Sequence, residues 1–78
     1  MARVDKMIDA RRLLCPLPVI RTQDAVSDMQ PGQLLRVRAT DPGAKNDIPA
    51  WCRIHGHTVE SIEEAGEEIL ITVRVGEP

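Results

Sequence analysis

Leu14-Cys15-Pro16-Leu17-Pro18 places a thiol directly before two prolines that stand one residue apart. Val19, Thr22, Val26 and Met29 follow at helical spacing and mark one face of an amphipathic helix. Proline is tolerated in a first helical turn, because amide hydrogens there have no intrahelical partner. Cys-Pro-x-Pro therefore reads as a rigid helix start with a thiol at its tip. A helix N-terminus favours negative charge, so a cysteine there is more readily the thiolate, the nucleophilic form. Arg11 and Arg12, just upstream, push the same way. Proline also disfavours helical backbone in the residue before it, which leaves two registers open. The helix starts at Leu17, or at Pro18 with Cys15 on the loop leading in. The bland reading, a helix-start cysteine that acts as a small hydrophobe, stands beside the reactive one.

Other residues could carry chemistry. Cys52 falls with Ile48 and Trp51 on the apolar side of a second helix, where core packing is the simplest role. The sharper reading makes Cys52 a resolving cysteine that forms a disulfide with Cys15, a thiol redox switch. Cys52, His55 and His57 are zinc-ligand types, but Gly56 ends the helix before His57 and the spacing matches no zinc pattern, so no metal is expected. Asp41-Pro42-Gly43 reads as a strand-to-helix turn with Asp as cap. Glu60, Glu63, Glu64, Glu67 and Glu68 read as a solvated hairpin face. Arg21, Arg36 and Arg38 read as the outer face of a strand and a helix, with a small basic patch near the thiol as the competing view.

Around these residues, 78 positions predict one small domain, 1–78. With one Trp and neither Phe nor Tyr, its core must be built from aliphatic side chains. A formal net charge of −2 argues against nucleic-acid binding by bulk electrostatics, and the lack of aromatics against stacking on bases. An RNA-binding module is the least favoured class. Residues 1–38 hold seven Lys/Arg against four Asp/Glu, and residues 39–78 three against eight. The thiol is thus expected in a basic half, away from an acidic one. The first fourteen residues alternate charge and hydrophobe, unlike a secretory leader, and nothing approaches a membrane span. A cytoplasmic protein with free thiols and no membrane contact is expected.

The elements that must position the thiol follow in order. Val4 to Asp9 is a short first strand, and the first helix runs to Met29 before Gln30-Pro31-Gly32 stops it. Gln33 to Thr40 alternates as a second strand. Strand, helix and strand with short joints imply parallel pairing. A second helix spans Ala44 to His55, with Pro49 delaying or kinking its start. Thr58–Glu63 and Glu68–Val75 are strands joined by a turn over 64–67, with Ile69, Ile71, Val73 and Val75 on one face. The expected fold is an α/β (α+β) two-layer sandwich, βαβαββ, with a mixed four-stranded sheet and two helices on one face.

Asp9-Ala10-Arg11-Arg12-Leu13-Leu14-Cys15-Pro16-Leu17-Pro18-Val19 resembles the signature of the TusA/SirA-like sulfur-carrier family, an Asp followed by Cys-Pro-x-Pro. Ala39-Thr40-Asp41-Pro42-Gly43-Ala44 and Asp47-Ile48-Pro49-Ala50-Trp51-Cys52 match at the family's spacing, as do Gly56-His57 and the closing hairpin. The resemblance covers about residues 7–75. It implies the same sandwich and a sulfurtransferase role, with Cys15 accepting sulfane sulfur as a persulfide and relaying it, without a cofactor. Implied donors are a cysteine desulfurase or a rhodanese. Implied acceptors serve tRNA 2-thiouridine synthesis, molybdenum-cofactor sulfuration or sulfur oxidation. A monomer is expected. Two positions depart from the family pattern. Arg12 stands where Gly is usual, at the turn before the thiol. Gln23 stands where the family tends to carry a Lys or Arg, which would face a partner or stabilise an anionic sulfur.

Overall fold

The structure, a computed structural model, describes residues 4–77. Its elements run β1 (Lys6–Ala10), α1 (Leu17–Val26), β2 (Leu34–Ala39), α2 (Ala44–His55), β3 (Thr58–Ala65) and β4 (Glu68–Arg74). The sheet order is β1-β2-β4-β3; β1 and β2 are parallel, and the other neighbours antiparallel. This is the mixed four-stranded α+β arrangement the sequence predicts.

Alternation decides which side of the sheet is covered. Leu35, Val37 and Ala39 of β2 lie opposite Val73, Ile71 and Ile69 of β4, and all six are buried. Both helices press onto that side. Ala25 of α1 and Ala44, Ile48 and Cys52 of α2 join the same core cluster. The opposite side carries Arg36 facing Thr72 and Arg38 facing Leu70. With aliphatic side chains alone, the core depends on close fit, and truncating Ile48 to Ala would cost about 3 kcal/mol.

The bounds of β1, β2, β3 and β4 differ from expectation by one or two residues, α1 differs by more, and α2 keeps its expected bounds without the delayed start expected from Pro49. Helix α1 ends at Val26, because its last turn tightens: Asp28 N–H donates to the Ala25 carbonyl and Met29 N–H to that of Val26. Met29 still packs on the core from the turn. The fully buried face of α1 is Pro18, Thr22 and Ala25, with Val19 and Val26 at its edge. The buried Thr22 hydroxyl is satisfied by donating to the Pro18 carbonyl at 2.8 Å. Helix α2 runs from Ala44 through Pro49. Its first turn is secured from the preceding loop, with Ala44, Lys45 and Asp47 N–H groups donating to the carbonyls of Asp41, Pro42 and Gly43. Strand β3 extends to Ala65, so the hairpin closes on Gly66-Glu67, with Gly66 at φ +64.

The end of α2 is closed by Gly56 at φ +81, and His57 N–H donates to the Cys52 carbonyl at 2.8 Å. The chain after β4 crosses directly above. A Cβ on Gly76 would sit 1.8 Å from the Gly56 carbonyl oxygen, so only glycine fits the crossing.

Candidate functional site

Parallel pairing of β1 with β2 puts Ala10 beside Ala39 at the ends of their strands. The loops that follow, leading to α1 and α2, therefore leave the sheet side by side. They are stitched together by hydrogen bonds. Arg12 N–H donates to the Thr40 hydroxyl at 2.9 Å, and Cys15 N–H donates to Asp41 Oδ2 at 2.9 Å. Asp41 Oδ1 in turn accepts from Gly43 N–H at 3.2 Å. Asp41 is thus the turn residue expected but not the helix cap, since α2 has Gly43 at its N-cap and no side-chain cap bond; it also holds the thiol loop.

Cys15 is exposed, and its Sγ–H donates to Asp47 Oδ2 in the first turn of α2. The Cys15–Pro16 peptide is cis, and α1 begins at Leu17, which settles the open register. Leu14, Leu17 and Ile20 are exposed around the thiol, Leu14 by 72%. They form an apolar shoulder that lies off the buried face of α1.

The expected thiolate is not what this geometry favours. The amides of the first turn of α1 do not turn to the sulfur: Leu17 N–H donates to the Leu14 carbonyl, and Val19 and Ile20 N–H to the Pro16 carbonyl. Pro16 and Pro18 have no N–H to offer. Arg11 folds back onto Asp9, with Nε and Nη2 at 2.9 and 2.8 Å, and holds that carboxyl well below the usual range. Arg12 lines a hollow with Thr40, Glu67 and Glu68. Asp47, by accepting the thiol hydrogen, pushes Cys15 up to about 11; desolvation and the charges of Asp47 and Asp41 add to the shift. Both aspartates therefore favour the protonated thiol over the thiolate. The expected separation of a basic thiol half from an acidic half fails for the same reason, since both aspartates come from the acidic half.

Cys52 is 1% exposed, and burial pushes its thiol up to about 11. It lies five residues beyond Asp47, about 7.5 Å further along the helix axis, and inside the core. The two free cysteines thus occupy different environments, and the resolving-cysteine reading finds no support. His55 and His57 each sit with ring centroids 5.0 Å from Trp51, and His57 Nδ1 accepts from Gly76 N–H at 3.0 Å. Their role is packing at the end of α2. Among the described residues, no group of three His, Cys, Asp or Glu side chains is placed to hold a metal.

The remaining candidates form the surface. Arg38 pairs with Glu68 at 2.7 Å, Arg74 with Glu60 at 2.8 Å and Lys45 with Glu64 at 3.3 Å. Arg36 reaches Thr72, and Arg21 lines a hollow with Lys6, Asp9 and Asp24. The three arginines do not converge on the thiol. Gln23 lines a groove with Val26, Trp51 and Ile54, six residues and about 9 Å along α1 from its start. That places it away from the sulfur. Arg12 has φ +66, in the left-handed region where glycine is favoured, which accounts physically for the usual Gly at that position. Among the described residues, no helix is long and apolar enough to cross a membrane.

Sequence reasoning singled out Cys15 and missed Asp47 as its neighbour. The signal lay in topology. Once the two strands are read as parallel neighbours, the residues just after them must meet.

The family model described as Sulfurtransferase TusA matches residues 6–75. The sulfur carrier protein TusA of Pseudomonas paraeruginosa is 50% identical over 64 residues, covering 81% of each chain. That of Allochromatium vinosum is 43% identical over 68 residues, covering 86% of this chain and 90% of the relative. A crystal structure of a SirA-like protein from Desulfitobacterium hafniense superposes with a TM-score of 0.80 at 26% identity, over 92% of this chain and 99% of that one.

Proposed function

The chain belongs to the TusA sulfurtransferase family of sulfur carriers, and from that premise we propose that Cys15 is the atom that carries the sulfur, as a persulfide. The observation that carries this reading is the contrast between the two thiols. Cys15 is exposed at the head of α1 and Cys52 is buried. A carrier needs a sulfur that a partner's cysteine can reach from solvent, both to load it and to unload it.

In the loading step, the Cys15 thiolate attacks the terminal sulfur of a donor persulfide. A new S–S bond forms as the donor's S–S bond breaks, and the donor cysteine leaves with the electron pair as a thiolate. Unloading repeats the exchange, with an acceptor cysteine attacking the terminal sulfur on Cys15. Sulfane sulfur moves and nothing is oxidised overall, so no cofactor is needed. The donor is a cysteine desulfurase or a rhodanese. The acceptor serves tRNA 2-thiouridine synthesis, molybdenum-cofactor sulfuration or sulfur oxidation. We read the chain as one domain over 1–78, working as a monomer in the cytoplasm. The apolar shoulder of Leu14, Leu17 and Ile20 supports docking of such partners against the thiol.

Intact mass after loading tests the reading. Reduced protein is incubated with cysteine and a trace of cysteine desulfurase, or with thiosulfate and a rhodanese, beside Cys15→Ser. The expected result is a gain of one sulfur atom, reversed by reductant and absent from the variant. If donors active on another carrier add no sulfur here, the relay is refuted. A loss of two hydrogens would favour the redox switch instead.

A further inference from the structure

Two carboxylates face the sulfur that is proposed to act as a nucleophile. Asp47 Oδ2 accepts the Sγ hydrogen itself, and Asp41 Oδ2 accepts the N–H of the same residue. A hydrogen bond from a thiol to an anion is lost when the thiol ionises, and the thiolate then lies against negative charge. Neither carboxylate is ion-paired with a basic side chain among the described residues. Of the nearby cations, Arg11 pairs with Asp9 and Lys45 with Glu64, while Arg12 lines the hollow with Glu67 and Glu68. From α1, the N–H groups that could have supported a thiolate donate to loop carbonyls. The two loop carboxylates thus favour the proton on Cys15.

We propose that Asp47 holds Cys15 as an unreactive thiol in the empty carrier, and that the sulfur donor releases it by docking a lysine or arginine against Asp47 and Asp41. This rests on the persulfide reading above. The partner's chemistry follows from the surface it must cover: apolar at Leu14, Leu17 and Ile20, and anionic and unpaired at the thiol. A donor face with an aliphatic patch beside a cation complements both parts. With the carboxylates paired, the Sγ–H proton passes to solvent and the thiolate attacks the donor persulfide. Once loaded, Sγ carries no hydrogen and the reactive sulfur stands one S–S bond, about 2.05 Å, further out. The restraint therefore acts on the empty state, and protects it from oxidants and electrophiles between loading events. The thiol's upward shift agrees with the geometry.

The test measures alkylation of Cys15 by iodoacetamide against pH, without any partner, for wild type, Asp47→Asn and Asp47→Lys. Circular dichroism and a thermal midpoint check that each is folded. At pH 7.5 Asp47→Asn is expected to react about tenfold faster than wild type, since a larger thiolate fraction outweighs its lower nucleophilicity. Asp47→Lys should be faster still, with its apparent pKa lower than that of Asp47→Asn. A slower Asp47→Asn across the pH range would make Asp47 a base that assists attack, and would overturn the proposal. If Asp47→Asn does not fold, Asp41→Asn should show the same direction with a smaller change; no change there refutes it.

Loading by a cysteine desulfurase then tests the release step. Asp47→Asn should gain nothing in loading and should show a raised KM for the carrier, because the docked cation has already removed the restraint in wild type and the variant lacks one of the two carboxylates that the cation pairs with. An equal gain in both assays refutes release by the donor. Absence of loading in both proteins, with the alkylation difference intact, refutes the relay and the release step together while leaving the thiol restraint standing.

Discussion

The carboxylate of Asp47 holds the sulfur of Cys15 across 32 residues of chain. The contact joins the first turn of α2 to the entrance of α1, and it reverses the electrostatic character that the local sequence around Cys15 suggests.

One consequence is a shifted pH profile. With Cys15 pushed up from an ordinary 9.0 to about 11 by its bond to Asp47, the alkylation rate should keep climbing through pH 9 and reach half its maximum near pH 11. The same shift bears on stability. Between those values the unfolded chain has lost its thiol proton while the native chain retains it, so stability falls as pH rises through the window. Cys52, raised to about 11 by burial, adds in the same direction. Thermal midpoints measured from pH 8 to 10.5 should decline.

Asp41 joins the two loops by accepting from both Cys15 and Gly43. Asp41→Ala leaves two backbone donors without this partner and should cost about 1–2 kcal/mol in urea denaturation. Asp41→Asn, which keeps an acceptor oxygen, should cost less.

At Arg12 the backbone sits at φ +66, and its N–H bonds Thr40 whatever the side chain. Left-handed backbone penalises any Cβ. Arg12→Gly should therefore be more stable than Arg12→Ala by about 1 kcal/mol, read from paired denaturation curves.

His57 accepts a hydrogen bond at Nδ1 from Gly76 N–H, which requires the neutral ring. Burial, with His55 nearby, holds its pKa below the ordinary 6.5. The native state thus binds fewer protons than the unfolded chain just below that value. Its contribution is complete above about pH 6.5 and is lost as pH falls through and below it. The thermal midpoint should drop between pH 7 and 5, and less steeply in His57→Asn, whose side-chain oxygen can accept in place of Nδ1.

Strands, helices and their inward faces were legible in the chain because they depend on short-range periodicity. Leu35, Val37 and Ala39 alternate, as do Ile69, Ile71 and Val73, and both sets are buried as read. Boundaries slipped where a turn could tighten or where hydrogen bonds came from outside the element. Met29 keeps its packing without its helix, and Pro49 sits within a helix whose first turn is secured by the preceding loop. The place of Cys15 at the entrance of a helix was also visible, from its two prolines. What surrounds the sulfur was not. Electrostatic effects depend on distance through space, and only the parallel pairing of β1 with β2 brings Asp41 and Asp47 to Cys15. The same pairing leaves Arg11 on Asp9 and the first-turn amides of α1 on loop carbonyls. Local sequence determined that there would be a thiol at the head of a helix; tertiary structure decided that it would keep its proton.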